Sequence, residues 1–111
     1  MSKRILILEQ DSILRELLVE YLEEEGFSVR SVGGARQILV NPQGPPDLLL
    51  ASTRELGASG WREVEILKES HPLLKVVLLA SSHRRPALLS EGHIRPDGLL
   101  YKPFEPARLQ R

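Results

Sequence analysis

Three short, uninterrupted apolar runs, beginning at Ile5, Leu48 and Val76, constrain this chain more than any other feature. A run with no polar alternation is expected of a strand buried on both faces, and such strands belong to parallel sheets covered by helices. The segments between the runs have helical character. Asp11 or Ser12 can cap a helix carrying Ile13, Leu14, Leu17, Leu18, Tyr21 and Leu22 at i, i+3, i+4 spacing, and Gly26 can supply its left-handed end. Phe27, Val29 and Val32 mark a second strand, followed by a short helix over 35–40. The stretch Asn41-Pro42-Gln43-Gly44-Pro45-Pro46 cannot continue that helix, because proline lacks the amide donor. The third strand is expected at 47–51, a helix at 61–70 with Val64, Ile66 and Leu67 inward, and the fourth strand at 76–79. A short helix over 86–91, a fifth strand at 98–101 and a last helical turn or two from Pro106 complete the pattern.

Five strand–helix units in 111 residues predict an α/β chain forming one domain, residues 1–111, built on an open, doubly wound parallel sheet. In that architecture a site lies beyond the carboxyl ends of the strands, where the strand order reverses. Topology therefore selects the candidate positions: Glu9, Gln10 and Asp11 after strand one, Ser52 to Arg54 after strand three, Ala80 to Ser82 after strand four, and Lys102 after strand five.

Composition excludes several function classes. Fifteen acids balance fifteen bases, so net charge gives no electrostatic case for direct nucleic-acid binding. No cysteine is present, which removes disulfides, thiolate metal sites and thiol nucleophiles and suits a cytoplasmic protein. No apolar stretch approaches the ~18 residues of a membrane span, and the start is too short an apolar run for a secretory signal. Charge is nevertheless uneven: residues 1–25 hold seven acids and three bases, residues 83–111 six bases and three acids. Two solvated faces explain such asymmetry, though it can also steer a partner.

The pieces Ile5-Leu6-Ile7-Leu8-Glu9-Gln10-Asp11-Ser12 with Arg15, Glu25-Gly26-Phe27, Gly33-Gly34, Pro46-Asp47-Leu48-Leu49-Leu50, Gly60, His71-Pro72 and Lys102-Pro103-Phe104 carry a resemblance. In order and spacing they resemble a bacterial response-regulator receiver domain of two-component signalling, from Lys3 to Phe104. The resemblance implies a flavodoxin-like (βα)5 three-layer fold with strand order 2-1-3-4-5, here with a short last helix. It also implies roles. Glu9 and Gln10 stand at the acidic-pair positions, Ser52 at the phosphoacceptor aspartate, Ala80 at a Thr or Ser, Lys102 at the family's lysine and Leu99 at its aromatic switch. Gly60 would close the loop after strand three, and Lys102-Pro103 is a candidate cis peptide. In such a domain the acids and the acceptor hold one Mg2+, and the phosphoryl group moves onto the aspartate.

This chain departs from that pattern. Ser52 has no carboxylate, so no acyl phosphate can form there. Gln10 is neutral, Ala80 has no hydroxyl to follow a phosphate, and Leu99 has no polar tip to relocate. Ser81, one residue on, would point to the other face of an extended strand. The expectation is a degenerate pseudo-receiver, not an enzyme, with no cofactor and weak or absent Mg2+ binding. Without an acceptor acid, Lys102 needs another partner, and an ion pair with Glu9 or a network shared with Ser52 is expected.

Other residues have ordinary explanations. No motif sets His71, His83 or His93 beside Ser52 as a base, and His83, His93 and the acids around them lack metal-ligand spacing. Gly33-Gly34 lacks a dinucleotide-binding context, and Trp61 fits packing at the start of its helix. The surface such domains use implies contacts through Arg84, Arg85, Leu88, Leu89, Arg95, Leu99 and Tyr101. The partner class is a protein, whether a histidine kinase, an output protein or a homodimer mate, with no direct nucleic acid and no membrane. Two alternatives stand beside this: a phosphorylatable regulator using Asp11 or Glu55, and a small-ligand sensor on the same fold.

Overall fold

The computed structural model describes residues 3–42, 44–80 and 96–101, apart from the side chains of 54, 55 and 57–59. Strands β1 (Arg4–Leu8), β2 (Ser28–Val32), β3 (Leu48–Ser52), β4 (Lys75–Ala80) and β5 (Gly98–Tyr101) form one parallel sheet in the order β2-β1-β3-β4-β5. The elements between them are helix α1 (Ser12–Glu24), a 3-10 helix (Ala35–Leu39) and helix α2 (Thr53–Ser70). The doubly wound sheet and its strand order are as expected. The helices expected over 86–91 and from Pro106 lie outside the described residues, as do Ser81, Arg84, Arg85, Leu88, Leu89, Arg95, Lys102 and Pro103, and the side chain of Glu55.

The unbroken apolar runs follow from two cores, one on each face of the sheet. Leu6, Leu8, Leu49, Ala51, Val76 and Leu78 pack under the 3-10 helix and α2, with Ile38, Leu56, Trp61, Val64 and Leu67. Ile5, Ile7, Leu50 and Leu79 pack under α1, with Leu18 and Leu22. Alternate residues of each strand thus face opposite cores, and the middle positions of the central strands are all apolar, with Arg4, Lys75 and Ser52 at their ends.

Helix α1 begins where Asp11 caps it, the carboxylate accepting from Ile13 N at 3.0 Å and Leu14 N at 3.2 Å. It ends at Gly26, whose φ of +96° is a left-handed conformation that side chains with a Cβ rarely adopt. Ile13, Leu14, Leu17, Leu18, Tyr21 and Leu22 of α1 span an arc of about 180° at 3.6 residues per turn, wider than one sheet contact. Leu18 and Leu22 are buried, Leu14 and Tyr21 half-buried, and Ile13 and Leu17 lie on the outer flank in solvent.

Helix α2 corrects three expectations. It begins at Thr53 rather than Trp61, so Gly60 lies inside the helix and closes no loop. Gly60 packs closely against the 3-10 helix: a Cβ there would meet Ala35 Cβ at 3.0 Å and Leu56 Cδ1 at 3.1 Å. Leu56, Gly60, Val64 and Leu67 form the inward face, while Ile66 points to solvent, well round the helix from Val64.

Candidate functional site

The strand register builds the site row by row. Leu8, Ala51, Leu78 and Leu99 stand side by side across β1, β3, β4 and β5. One residue further, Glu9 follows β1 and Ser52 closes β3, with Ser52 paired to Leu79. Ala80 and Tyr101 pair in the next row. Glu9, Ser52 and Ala80 thus gather at the carboxyl ends of adjacent strands, where the sheet order reverses.

Burial separates this cluster from the rest of the surface. Glu9 and Ser52 are each 1% exposed and are the two buried polar or charged side chains among the described residues. A buried carboxylate must be solvated by the protein. Glu9 Oε2 accepts from Asp11 N at 3.0 Å, and the Arg15 guanidinium donates to the Glu9 carbonyl at 3.2 Å. Ser52 is also the N-cap residue of α2, and its side chain makes no capping hydrogen bond to that helix. β3 therefore passes straight into α2 at this position.

The other positions fall into place around this pair. Gln10 is exposed, and its Nε2 donates to the Gly33 carbonyl at 3.3 Å, so the amide is turned toward the turn after β2. Gln37 completes that tie, its Oε1 accepting from Gly33 N at 3.0 Å and Gly34 N at 3.1 Å. The sequence pattern singled out Gly33-Gly34 but not Gln37, whose spacing of three from Gly34 was the available signal. Ala80 is buried and Leu99 packs, half-buried, against the α2-side core. Tyr101 is half-buried at the end of β5. Lys102 and its expected pairing with Glu9 lie outside the described residues.

The acids at the opposite end of the sheet are structural. Asp47 Oδ2 accepts from Arg4 N and Asp97 Oδ2 from Val76 N, each at 2.7 Å, so both carboxylates hold strand starts together. Lys68 Nζ lies 3.7 Å from Asp97 in a half-exposed pair of small energetic weight. Among the described residues no three His, Cys, Asp or Glu side chains gather in a way that could hold a metal ion. None of the helices described is long and apolar enough to cross a membrane.

No family model matches the chain. The DNA-binding response regulator MtrA of Mycobacterium tuberculosis is 29% identical over 110 residues, covering 98% of this chain and 48% of the relative. The chain therefore spans about half the length of the curated relatives it matches. Among solved structures, the response regulator TrrA of Thermotoga maritima, in complex with Mg2+-BeF, aligns with a TM-score of 0.75 at 29% identity, covering 97% of this chain and 93% of that one. A CheY-like response regulator receiver domain protein of Methanospirillum hungatei aligns at 0.79 and 21% identity, covering 99% and 89%. The chain has the flavodoxin-like fold of response-regulator receiver domains, and over almost its whole length it is similar to about half of a DNA-binding response regulator.

Proposed function

We propose that this chain is a pseudo-receiver: a receiver-type signalling module of a two-component or related system that works through protein contacts without accepting a phosphoryl group. The observation that carries this is the buried pair at the strand ends, where Ser52 stands beside Glu9 in a row that offers one carboxylate. A serine cannot form an acyl phosphate, and at 1% exposure its hydroxyl is out of reach of an external kinase.

The donor set does not suit Mg2+, which demands near-octahedral oxygen ligands and dehydrates reluctantly. One Glu9 oxygen is held by Asp11 N–H, the Asp11 carboxylate caps α1, and the Gln10 amide is turned to Gly33. Asp11 is for the same reason a poor substitute acceptor, because modifying it would cost α1 its cap. Leu99 packs, half-buried, against the α2-side core and has no hydroxyl with which to report on a phosphate.

The partner is a protein: a histidine kinase, an output protein or another receiver-like chain. Similarity to MtrA supports a place in regulation of the response-regulator type, and any contact with DNA would be made by a different segment or protein. Incubation with Mg2+ and acetyl phosphate or carbamoyl phosphate, followed by intact mass measurement, tests the proposal. No mass gain is expected, and a stable gain of one phosphoryl group would establish instead a regulator using Asp11, Glu55 or another acid.

A further inference from the structure

We propose that the Asp97–Gly98 peptide is a modification site guarded by the fold: when β5 leaves the sheet, this joint cyclises and reopens as isoaspartate, after which β5 cannot reseat. The inference concerns the opposite end of the sheet from Glu9 and Ser52 and does not depend on the function proposed above.

The chemistry needs an Asp or Asn side chain followed by an unhindered amide nitrogen. Gly98 N attacks Asp97 Cγ, a C–N bond forms, and the amide hydrogen leaves with the carboxyl OH as one water. Water then adds at the main-chain carbonyl of the five-membered imide and breaks its bond to the Gly98 nitrogen. The chain now runs through the side-chain methylene, with no net change in mass. Every other candidate in the sequence lacks a requirement. Asn41 precedes Pro42, which has no amide hydrogen, while Asp11 precedes Ser12 and Asp47 precedes Leu48, whose side chains crowd the nitrogen. Asp97 alone precedes a glycine.

In the folded chain two hydrogen bonds close a ring between Asp97 and Val76. Asp97 N donates to the Val76 carbonyl and Asp97 Oδ2 accepts from Val76 N, each at 2.7 Å. The ring holds the carboxylate on the neighbouring strand, so Gly98 N cannot attack Cγ until the ring opens. Asp47 makes the same ring with Arg4, at 2.8 and 2.7 Å.

The two rings differ in the strands they anchor. β3 lies between β1 and β4, and all of its residues after Leu48 are buried. β5 stands at the end of the strand order, and each of its four residues is half-buried. Gly98 adds no side chain to hold it there. A short edge strand with few buried contacts opens at lower free energy than a central one. The one reactive peptide therefore sits at the start of a strand that opens readily.

Conversion is also one-way in its structural effect. Isoaspartate lengthens the main chain by one methylene and leaves the carboxylate directly on the α-carbon. Asp97 N and Gly98 then lose the spacing that sets them against Val76 and Val77, and the Asp97–Val76 ring cannot close again.

Incubation of the full chain at neutral pH, in buffer and in denaturing guanidinium chloride, tests this, with proteolysis and electron-transfer mass spectrometry as the readout. Isoaspartate is expected at position 97 in denaturant and at least about tenfold more slowly in buffer, because the folded rate is the unfolded rate scaled by the open fraction. Position 47 should stay unconverted in both. Leu100→Ala, which loosens β5, should speed conversion in buffer and leave the rate in denaturant unchanged, whereas Gly98→Ala should slow it in denaturant. Hydrogen exchange of the separated, converted protein should show lost protection in β5 and retained protection in β1 and β3. Equal rates in buffer and denaturant, no conversion in denaturant, or unaltered β5 protection after conversion would each overturn the proposal.

Discussion

Glu9 and Ser52 stand side by side one residue beyond the paired row Leu8–Ala51, and each is 1% exposed. A buried acid beside a buried hydroxyl has different consequences from two acids around a cation. The first arrangement is held by neutral donors such as Asp11 N–H. The second would require a metal or a cationic side chain to offset mutual repulsion. Ser52 therefore affects the stability of this end of the sheet as well as its chemistry.

Replacing Ser52 with aspartate puts a second carboxylate into that row. Without divalent cations, Ser52→Asp is expected to lower stability by about 1–3 kcal/mol. Adding Gln10→Asp should create a site whose occupancy raises Tm as Mg2+ increases. Thermal melts in EDTA and in Mg2+ make the comparison, with the wild-type Tm expected to be insensitive to Mg2+.

Lys102 is proposed to take Glu9 as its partner. A double-mutant cycle with Glu9→Gln and Lys102→Met, followed by urea denaturation, should give a coupling of about 1–3 kcal/mol. Additive effects would mean that Lys102 lies over the strand ends without engaging Glu9.

The Asp11 carboxylate holds two amides of the first turn of α1. Asp11→Ala should cost about 1 kcal/mol, and Asp11→Asn much less, because asparagine caps nearly as well. A shift in the urea midpoint at constant m-value is the readout. Equal losses from both variants would point to a role for the charge itself.

Gly60 is a weak helix former in the middle of α2. Alanine there would ordinarily gain about 1 kcal/mol. Its Cβ would lie 3.0 Å from Ala35 Cβ, a short side chain that can yield only if the 3-10 helix moves. Gly60→Ala is therefore expected to lower stability by about 1 kcal/mol net, as overpacked sites do. An increase in Tm would show that the two helices can separate at little cost.

The sheet was legible in the sequence and parts of the helices were not. β1, β3 and β4 are apolar at every central position because Leu6 and Leu8 meet one core while Ile5 and Ile7 meet the other. Helix α1 was equally plain, since Asp11 and Gly26 bracket it. The first turns of α2 were hidden, because Gly57, Ser59 and Gly60 are poor helix formers, and they are helical where Leu56 and Gly60 pack against the 3-10 helix. At the candidate site, spacing alone set Glu9, Ser52 and Ala80 at the strand ends, as the register has them. It could not reveal that the Gln10 amide turns to Gly33 or that Gln37 holds the same turn.

By itself, then, the sequence determined the strands, their burial on both faces and the serine at the end of β3. Tertiary structure decided that Ser52 and Glu9 are both enclosed, that Ile66 faces water, and that Ile13 and Leu17 remain outside while Leu18 and Leu22 go in. The physical reason is the reach of the information. A strand buried on both faces carries its environment in every one of its residues. The exposure of a helix flank depends on which neighbours the fold brings to it, and those neighbours are written elsewhere in the chain.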